Sequence, residues 1–291
     1  MSPDLVPDES PSNISRDLEL QQRDWDSLAR LDPFWAVLTT PEGRHGGWSA
    51  SAFFETGEKE VAHALRTASE HGARHGAGRA LDFGCGIGRT TRALSTRFRE
   101  VHGVDISPEM ISLARRFNAD RPNCAFRLNS SPDLPEFQRG TYDFVYSNIV
   151  LQHLPHGRLV PPYLTSLISL LATDGLLVFQ LPYRLSVRRR LQPRRRLYGV
   201  LRRAGCSETF LYRRVGLNPM RTVFLPRTDV EAAIAAADGD LMHAQPANEA
   251  PNPSWFYYVR RPHESGPDPS SSSALRSAGT SAPGLSQRRL L

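Results

Sequence analysis

One unit of the chain strongly constrains its fold: a short strand pattern that runs directly into a glycine-rich turn and a helix. Residues 79–89 read RALDFGCGIGR, and a helical pattern follows over 89–98. Glycines in such a turn allow positive φ and let the backbone approach a ligand closely. Because the turn of a doubly wound sheet lies at the carboxyl ends of the strands, this unit predicts a ligand site there.

Strand and helix patterns alternate along the following residues. Ser107 is a predicted N-cap and Pro108 a first-turn residue of a helix over 108–117. Upstream, an amphipathic helical pattern covers 16–39 and another helix is expected to begin near residue 57; further helical patterns cover 157–171 and 229–236. The predicted strands are 80–83, 101–105, 125–128, 142–146, 176–181, 241–245 and 254–260. This alternation predicts a doubly wound α/β fold with a mainly parallel sheet, whose last two strands form a hairpin-like edge.

The composition narrows the class of protein. The three cysteines, Cys85, Cys124 and Cys206, are an odd number without metal-ligand spacing. We therefore expect reduced thiols in a cytoplasmic protein and no metal. The most apolar stretch, 164–181, is interrupted by polar residues, and no secretory signal pattern opens the chain. We accordingly expect no transmembrane segment.

An acidic residue precedes the glycines and restricts the ligand. Asp82 lies two residues before Gly84, where it would repel a pyrophosphate. No Gly-Lys-Ser/Thr follows, so the turn is not a P-loop, and Arg89 occupies the third glycine position of the dinucleotide fingerprint. A cation suits Asp82. S-adenosylmethionine (SAM) carries an ammonium and a sulfonium and no phosphate, so it fits this pattern.

A second acid supports a nucleoside ligand. Asp105 ends the next predicted strand, in the sequence VHGVD, 17 residues after Gly88. A carboxylate there can accept hydrogen bonds from both ribose hydroxyls. Dinucleotide-binding enzymes also have an acid at this position, so the acid alone is not specific. Its combination with Asp82 and the G-x-G-x-G pattern is specific.

Residues 79–181 resemble the class I SAM-dependent methyltransferases. LDFGCGIGRTTRAL is similar to the first motif of that family, VHGVDISPEMISLAR to the second, TYDFVYSNIVLQHLP to the fourth-strand motif, and LLATDGLLVFQLP to the fifth strand. The resemblance implies a Rossmann-like, seven-stranded sheet, SAM as cofactor with S-adenosylhomocysteine as product, and methyl transfer. The upstream segment 31–61 resembles the aromatic N-terminal cap of a bacterial branch that acts on small molecules or glycans.

The resemblance also assigns roles to matching positions. Gly84, Cys85 and Gly86 would pass beneath the methionine part, Asp82 would reach its ammonium directly or through water, and Asp105 would hold the ribose. The adenine would meet Ile106, Met110, Asn129 and Ser130. Relatives often place an aspartate at the position of Asn129, where the amide oxygen would accept instead; an ordinary turn residue is the alternative. Asn148 and Ile149 would face the methionine and the acceptor.

The acceptor side is less defined by sequence. His153, in VLQHLP, is the candidate base for a hydroxyl acceptor, although a structural role beneath the loop is the alternative. His156 and His243 are weaker candidates. Three aromatic residues would form a lid or a wall of the acceptor pocket, or else pack in the cap: Trp35, Trp48 and Phe54.

Arginines concentrate in residues 184–214, which hold eleven of them and one acid, Glu208. A GC-rich coding bias explains why the chain has one lysine, and a solvated face is one interpretation. The others are an anionic substrate, an anionic membrane surface and RNA. Pro193 predicts a break into two helices. The expected inward positions are Leu185, Leu191, Leu197, Val200 and Leu201.

These patterns together predict six regions: a disordered 1–15, a helical cap over 16–76, a SAM-binding core over 77–182, an arginine-rich helical insertion on the acceptor side over 183–239, closing edge strands over 240–262, and a disordered 263–291. We expect a cytoplasmic methyltransferase that acts on a small molecule or a glycan or lipid precursor, at oxygen. The alternatives are an RNA methyltransferase that uses the insertion and a non-catalytic SAM-binding regulator. The fourth-strand motif, 147–150, lacks the Asn/Asp-Pro-Pro-aromatic signature of base methylation, which argues against nucleic acid.

Overall fold

The computed structural model describes residues 11–73, 75–247 and 252–262. In these residues one seven-stranded sheet has the strand order β3-β2-β1-β4-β5-β7-β6. The strands are β1 (Arg79–Phe83), β2 (Glu100–Asp105), β3 (Cys124–Leu128), β4 (Tyr142–Ser147), β5 (Leu171–Pro182), β6 (Asp240–Pro246) and β7 (Ser254–Arg260). The first five pair in parallel, and β7 runs antiparallel to both β5 and β6. The predicted mainly parallel, seven-stranded α/β sheet is confirmed.

Helices cover both faces of the sheet and its carboxyl edge. They are α1 (Pro11–Leu31), α2 (Pro33–Val37), α3 (Ala50–Glu70), α4 (Arg89–Leu94), α5 (Pro108–Phe117), α6 (Val160–Leu170), α7 (Val187–Leu191), α8 (Pro193–Arg203), α9 (Glu208–Phe210) and α10 (Arg227–Ala236). The Ser107 hydroxyl accepts the Met110 N–H at 3.1 Å, as expected of an N-cap. No helix in the described part of the chain is long and apolar enough to cross a membrane.

Several predicted boundaries differ from the structure: α4 ends at Leu94 rather than at residue 98, β5 begins at Leu171 rather than at residue 176, and two boundaries of the cap differ as well. Residues 11–15, which we expected to be disordered, belong to α1, where Ile14 packs against the main core cluster. The cap helix α3 begins at Ala50 rather than near residue 57, because the Ser49 hydroxyl caps it by accepting the Ala52 N–H at 3.3 Å. The expected disorder of 1–10 and 263–291 concerns residues outside the described ranges.

Alternating side chains of the central strands build a core on each face of the sheet. Leu81 and Val145 belong to the cluster that includes α6, whereas Ala80 and Phe144 belong to the cluster that includes α3 and α4. Because neighbouring residues of a strand point to opposite faces, a parallel sheet buried on both sides needs such apolar runs. This burial fixes the positions of the strand ends that carry the site.

The arginine-rich insertion folds as α7 and α8 with a small core of its own. Leu185 is buried and Leu201 half-buried, as predicted. The prediction was wrong for three residues, Leu191, Leu197 and Val200, which are exposed. The reason is the orientation of α8, which turns Tyr198 and Leu201 inward against Leu211 and Leu217. The opposite side of α8 has no cover in the described chain.

Candidate active site

The glycine turn after β1 needs glycine at its ligand-facing positions. Gly84 and Gly86 have φ values of +76° and +53°, which side-chain-bearing residues rarely adopt. A Cβ on Gly84 would lie 2.3 Å from the Val150 Cγ2, and one on Gly86 would lie 2.5 Å from the Val37 Cγ2. The bare backbone therefore allows the segment after β4 and helix α2 to close on the turn.

Four N–H groups of this turn are used inside the protein. Gly84 and Cys85 both donate to the Val104 carbonyl, at 2.7 and 2.9 Å, and Gly88 donates to the Cys85 carbonyl at 2.9 Å. Gly86 donates to the Asp105 Oδ2 at 2.9 Å. A phosphate-binding loop presents such groups to its ligand. These four are not available for phosphate.

Asp105 is held in a fixed orientation at the end of β2. Its Oδ1 accepts the Ser107 N–H at 2.9 Å, and its Oδ2 accepts the Gly86 N–H. Burial raises the pKa of Asp105, although the hydrogen bonds from Ser107, Gly86 and Ile106 oppose that rise. The side chain lines the adjacent cleft, so its remaining acceptor capacity is directed where a ligand would lie.

Asp82, the first predicted ligand-binding acid, faces helix α4. It is 2% exposed, and its Oδ2 accepts the hydroxyls of Thr90 and Thr91, at 2.7 and 2.6 Å, from the first turn of α4. Burial raises its pKa to about 6, and the two hydroxyls oppose that rise. Asp82 does not line the cleft, so its expected contact with a ligand ammonium stays a prediction that this arrangement does not favour. The structure uses it to join β1 to α4.

Arg89, which stands where a dinucleotide site has glycine, forms a buried ion pair with Glu60 of α3. The Arg89 Nη2 lies 2.7 Å from the Glu60 Oε2, and the Tyr146 hydroxyl donates to the Glu60 Oε1 at 2.9 Å. Gly57 lets α3 approach α4 so closely, since a Cβ there would lie 2.6 Å from the Arg89 carbonyl oxygen. Sequence reasoning missed this network, which fixes the helix that follows the turn.

A cleft of about 720 Å³, including its open mouth, lies at the carboxyl ends of β1, β2 and β4. This is the crossover point of the sheet, where doubly wound folds bind small molecules. Nine of the predicted residues line it: Gly84, Gly86, Asp105, Ile106, Met110, Asn129, Asn148, Ile149 and His153. The structure therefore brings most of the predicted ligand set together.

Six predicted residues do not line this cleft: Asp82, Cys85, Ser130, Trp35, Trp48 and Phe54. Cys85 is buried against Ile111 and Ala114 of α5, where burial raises the pKa of its thiol. The three aromatic residues pack in the cap, which agrees with the alternative of core packing. They belong to or lie against a cluster around Phe53 and Ile87.

His153 lines the cleft but is deeply enclosed. Its Nδ1 lies 2.5 Å from the Arg221 carbonyl oxygen, and its Nε2 lies 3.1 Å from the Gln152 Nε2. The first contact places the proton on Nδ1, so Nε2 is an acceptor that the Gln152 amide can donate to. Burial lowers the pKa of His153 to about 4, despite the opposing bond to Arg221. The imidazole is accordingly neutral at pH 7.

Residues 80–175 match the methyltransferase domain family Methyltransf_25. This match agrees with the sheet order and with the ends of β1 and β2. Residues 80–175 form a class I SAM-dependent methyltransferase domain. Among curated proteins, it is 41% identical over 107 residues to a trans-aconitate 2-methyltransferase of Methylobacterium radiotolerans, covering 35% of this chain and 37% of the relative.

Other relatives agree on the domain. A trans-aconitate 2-methyltransferase of Methylobacterium nodulans is 32% identical over 165 residues, 55% of this chain and 56% of the relative. The chain thus spans between about a third and just over half of the length of these relatives. A solved magnesium protoporphyrin IX methyltransferase from Synechocystis, with bound S-adenosylhomocysteine, aligns with a TM-score of 0.54 at 17% identity, over 84% of this chain and 99% of that one. That likeness shows the fold.

Sequence reasoning missed several residues that line the cleft of the methyltransferase domain. Gln21 and Trp25 come from α1, and Tyr163 comes from α6. α1 is anchored over the cleft by Asp26, whose Oδ1 accepts the Ser107 hydroxyl at 2.5 Å and the Glu109 N–H at 3.2 Å. The amphipathic pattern indicated this helix, but only its distant partners show where it packs.

Ile149 is the one residue of the cleft wall with marked backbone strain among those described. Its φ is +61°, which a β-branched residue rarely adopts. It follows β4 directly and lines the cleft beside Asn148. Strain of this kind collects at functional sites. A β-branched residue so close to a strand end carries no sequence signal for positive φ.

Proposed function

We propose that the chain transfers the methyl group of SAM to an oxygen of a small molecule or a glycan or lipid precursor, in the cytoplasm. One observation carries the proposal: the N–H groups of Gly84, Cys85 and Gly86 in the glycine turn donate to Val104 and Asp105 and are not presented to a ligand. Such a site suits a nucleoside without phosphate, and a carboxylate at its centre suits a ribose.

The residues of the cleft fit that cofactor. The fixed Asp105 would accept the ribose hydroxyls, and Ile106 and Met110 would pack on the adenine. Asn129 keeps its Oδ1 for the adenine amino group, because its Nδ2 already donates to the Ser131 carbonyl at 2.6 Å. Gly84 and Gly86 line the part of the cleft beside the turn, where the methionine part would lie.

Bound SAM would supply an electrophilic methyl group on a positively charged sulfur. The protein then has little charge to stabilise, so its main tasks are to align the acceptor and to exclude water. Asn148 and Ile149 follow β4 directly, and His153, four residues further along, meets the ring of Trp25 at 5.3 Å. The α1 helix covers this side of the cleft, which supports a closed reaction site.

The residues that line the cleft favour a methyl acceptor whose part inside the cleft carries no charge. No lysine or arginine is among its described lining residues, and Asp105 is the acid there. The curated relatives named above act on trans-aconitate, an anion that calls for basic partners. None of the arginines in 184–214 lines this cleft, so the anionic-substrate and RNA alternatives lose the support they drew from them.

His153 would act on a hydroxyl acceptor as a neutral hydrogen-bond acceptor through Nε2 once the acceptor displaces the Gln152 amide from that atom. With its pKa lowered to about 4, it is a weak base and cannot hold a proton for long at neutral pH. We therefore assign it first to orienting the acceptor. Its alternative, the structural role, is supported by the bond to Arg221.

The test has two steps. Calorimetry with S-adenosylhomocysteine, with NADH and ATP as comparison ligands, measures the binding proposed for the cleft. Incubation with methyl-labelled SAM and fractionated cell extract then shows whether label enters small metabolites, lipids or RNA. Heat with NADH or ATP and none with S-adenosylhomocysteine contradicts the proposal. Binding without transfer to any fraction indicates the non-catalytic regulator, and label in RNA alone indicates the other alternative.

A further inference from the structure

The exposed apolar side chains of the chain are concentrated in one segment. Eight large hydrophobic residues are exposed in the described chain, and six of them fall within 187–215, with exposures between 43% and 71%. They are Val187, Leu191, Leu197, Val200, Phe210 and Val215. A dense group of exposed apolar side chains indicates a surface that binds another molecule or a membrane.

The same segment carries the positive charge of the protein. Of 36 basic and 30 acidic side chains in the chain, residues 184–214 hold eleven arginines and one acid. The segment therefore carries +10 and the remaining residues carry −4. Coding bias explains why arginine replaces lysine, but it does not explain why the charges of the two signs are separated. The single acid, Glu208, is already paired with Arg202 at 3.0 Å.

Several of these arginines are free to meet an external partner. Within the described ranges, six have no ion-pair, hydrogen-bond or aromatic-ring partner for their guanidinium groups: Arg184, Arg188, Arg196, Arg203, Arg213 and Arg214. All six are exposed. An unpaired, fully hydrated guanidinium next to exposed leucine is what an interface with anionic groups needs.

The helical geometry puts both kinds of side chain on one stripe. In α8, Arg196, Leu197, Val200 and Arg203 follow the spacing i, i+1, i+4 and i+7, and all four are exposed. The buried Tyr198 occupies the opposite side. In α7, Val187 and Leu191 repeat the pattern at i and i+4. Short helices with apolar and basic residues on one side suit the surface of a lipid bilayer.

We propose that this segment, residues 184–215, docks on an anionic lipid bilayer. Aliphatic side chains would enter the headgroup boundary while the arginines pair with lipid phosphates. RNA is disfavoured, because stacking on bases needs exposed aromatic rings and Phe210 is the exposed one here, with Tyr198 and Tyr212 buried. A second copy is disfavoured, because two faces of +10 would repel.

The docked segment would hold the cleft close to the lipid. Arg195 donates to the Pro219 carbonyl at 3.1 Å, and Gln192 donates to the Thr222 carbonyl at 3.0 Å. Arg221 lies between Pro219 and Thr222 in the sequence, and its carbonyl oxygen is the hydrogen-bond partner of His153. An acceptor that partitions into membranes would thus reach the cleft at the surface. This last step rests on the proposed function, whereas the docking does not.

The test is co-sedimentation of the full chain with vesicles of equal parts phosphatidylglycerol and phosphatidylcholine, against phosphatidylcholine alone. We expect sedimentation with the anionic vesicles only. Leu197→Ser with Val200→Ser, and separately Arg196→Gln with Arg203→Gln, should each weaken binding about tenfold or more. The matched control is Arg16→Gln with Leu20→Ser, an exposed i, i+4 pair on α1, which should bind like the wild type.

Four outcomes overturn the docking: no sedimentation with anionic vesicles, wild-type binding by the serine variant, an equal loss in the α1 control, or displacement from vesicles by single-stranded RNA at lower concentration than by soluble phosphatidylglycerol. Circular dichroism confirms that each variant is folded. Calorimetry with S-adenosylhomocysteine on the same samples separates the two proposals. Vesicle binding without S-adenosylhomocysteine binding would leave the docking in place and remove the function.

Discussion

The backbone N–H of Gly86 donates to the Asp105 carboxylate at 2.9 Å, so the glycine turn after β1 orients the acid at the end of β2. Asp105 receives a second backbone donor from Ser107. Both carboxylate oxygens are thus fixed before any ligand arrives. Pre-orientation of this kind reduces the entropy lost on binding, and it makes Asp105 the most informative position for a ligand-binding test.

We expect Asp105→Asn to weaken binding of S-adenosylhomocysteine by about 2 kcal/mol or more, roughly thirtyfold, because a charged acceptor of ribose hydroxyls becomes a neutral one. Isothermal titration calorimetry measures this. Asp120→Asn is the matched control, since it removes an exposed carboxylate that pairs with Arg92 at 2.6 Å. Equal affinities in wild type and Asp105→Asn would contradict the assignment.

The sheet and much of the cleft followed from the sequence because they depend on local signals. Apolar runs gave the seven strands, and Ser107 with Pro108 gave the start of α5. The orientation of Asp82 was not predictable, because it depends on whether the buried carboxylate turns towards the cleft or towards helix α4. Thr90 and Thr91 lie eight and nine residues further on, and helix α4 brings their hydroxyls to it.

The exposed leucines of the insertion were missed for a related reason. Arginines lie on nearly every side of α7 and α8, so the pattern does not show which side faces the protein. Contacts between distant residues decide it, as in the packing of Tyr198 against Leu211 and Leu217. The entry of Trp25 and Gln21 into the cleft has the same origin, since α1 is positioned by Asp26 at the start of α5.

Gly57→Ala should lower stability by about 1–3 kcal/mol, because its Cβ would lie 2.6 Å from the Arg89 carbonyl oxygen and would push α3 from α4. Urea denaturation measures the free energy of unfolding. Gly199→Ala is the control: nothing lies within 4 Å of its Cβ in the middle of α8, so we expect a gain of about 0.5–1 kcal/mol. A stable Gly57→Ala protein would show that the two helices can separate without loss.

Asp82 predicts a loss of stability as the pH rises. Its pKa is raised from 3.8 to about 6 in the folded protein, so the stabilising proton is bound below pH 4 and is lost through pH 6. Between pH 5 and pH 7 the wild type should lose about 1 kcal/mol relative to Asp82→Asn, whose amide oxygen can still accept from Thr90 and Thr91. Urea denaturation of both proteins at the two pH values measures this. A constant difference would show that Asp82 keeps its ordinary pKa.

The lowered pKa of His153 should change the pH dependence of stability in the opposite direction to that of Asp82. Because burial lowers its pKa from 6.5 to about 4, the unfolded chain binds a proton that the folded protein does not, and stability falls as the pH drops below 6.5. From pH 7 to pH 5 the wild type should lose about 2 kcal/mol relative to His153→Gln.

The slopes from His153 and Asp82 largely cancel in the wild type, so the two single variants are needed to show them. Chemical denaturation of His153→Gln at both pH values isolates the histidine, and His156→Gln, a more exposed histidine near Asp17, is the control. The same burial predicts that kcat/KM has no inflection near pH 6.5 that depends on residue 153. An inflection there that disappears in His153→Gln would instead identify this histidine as a base of ordinary pKa, exposed to solvent when the acceptor enters.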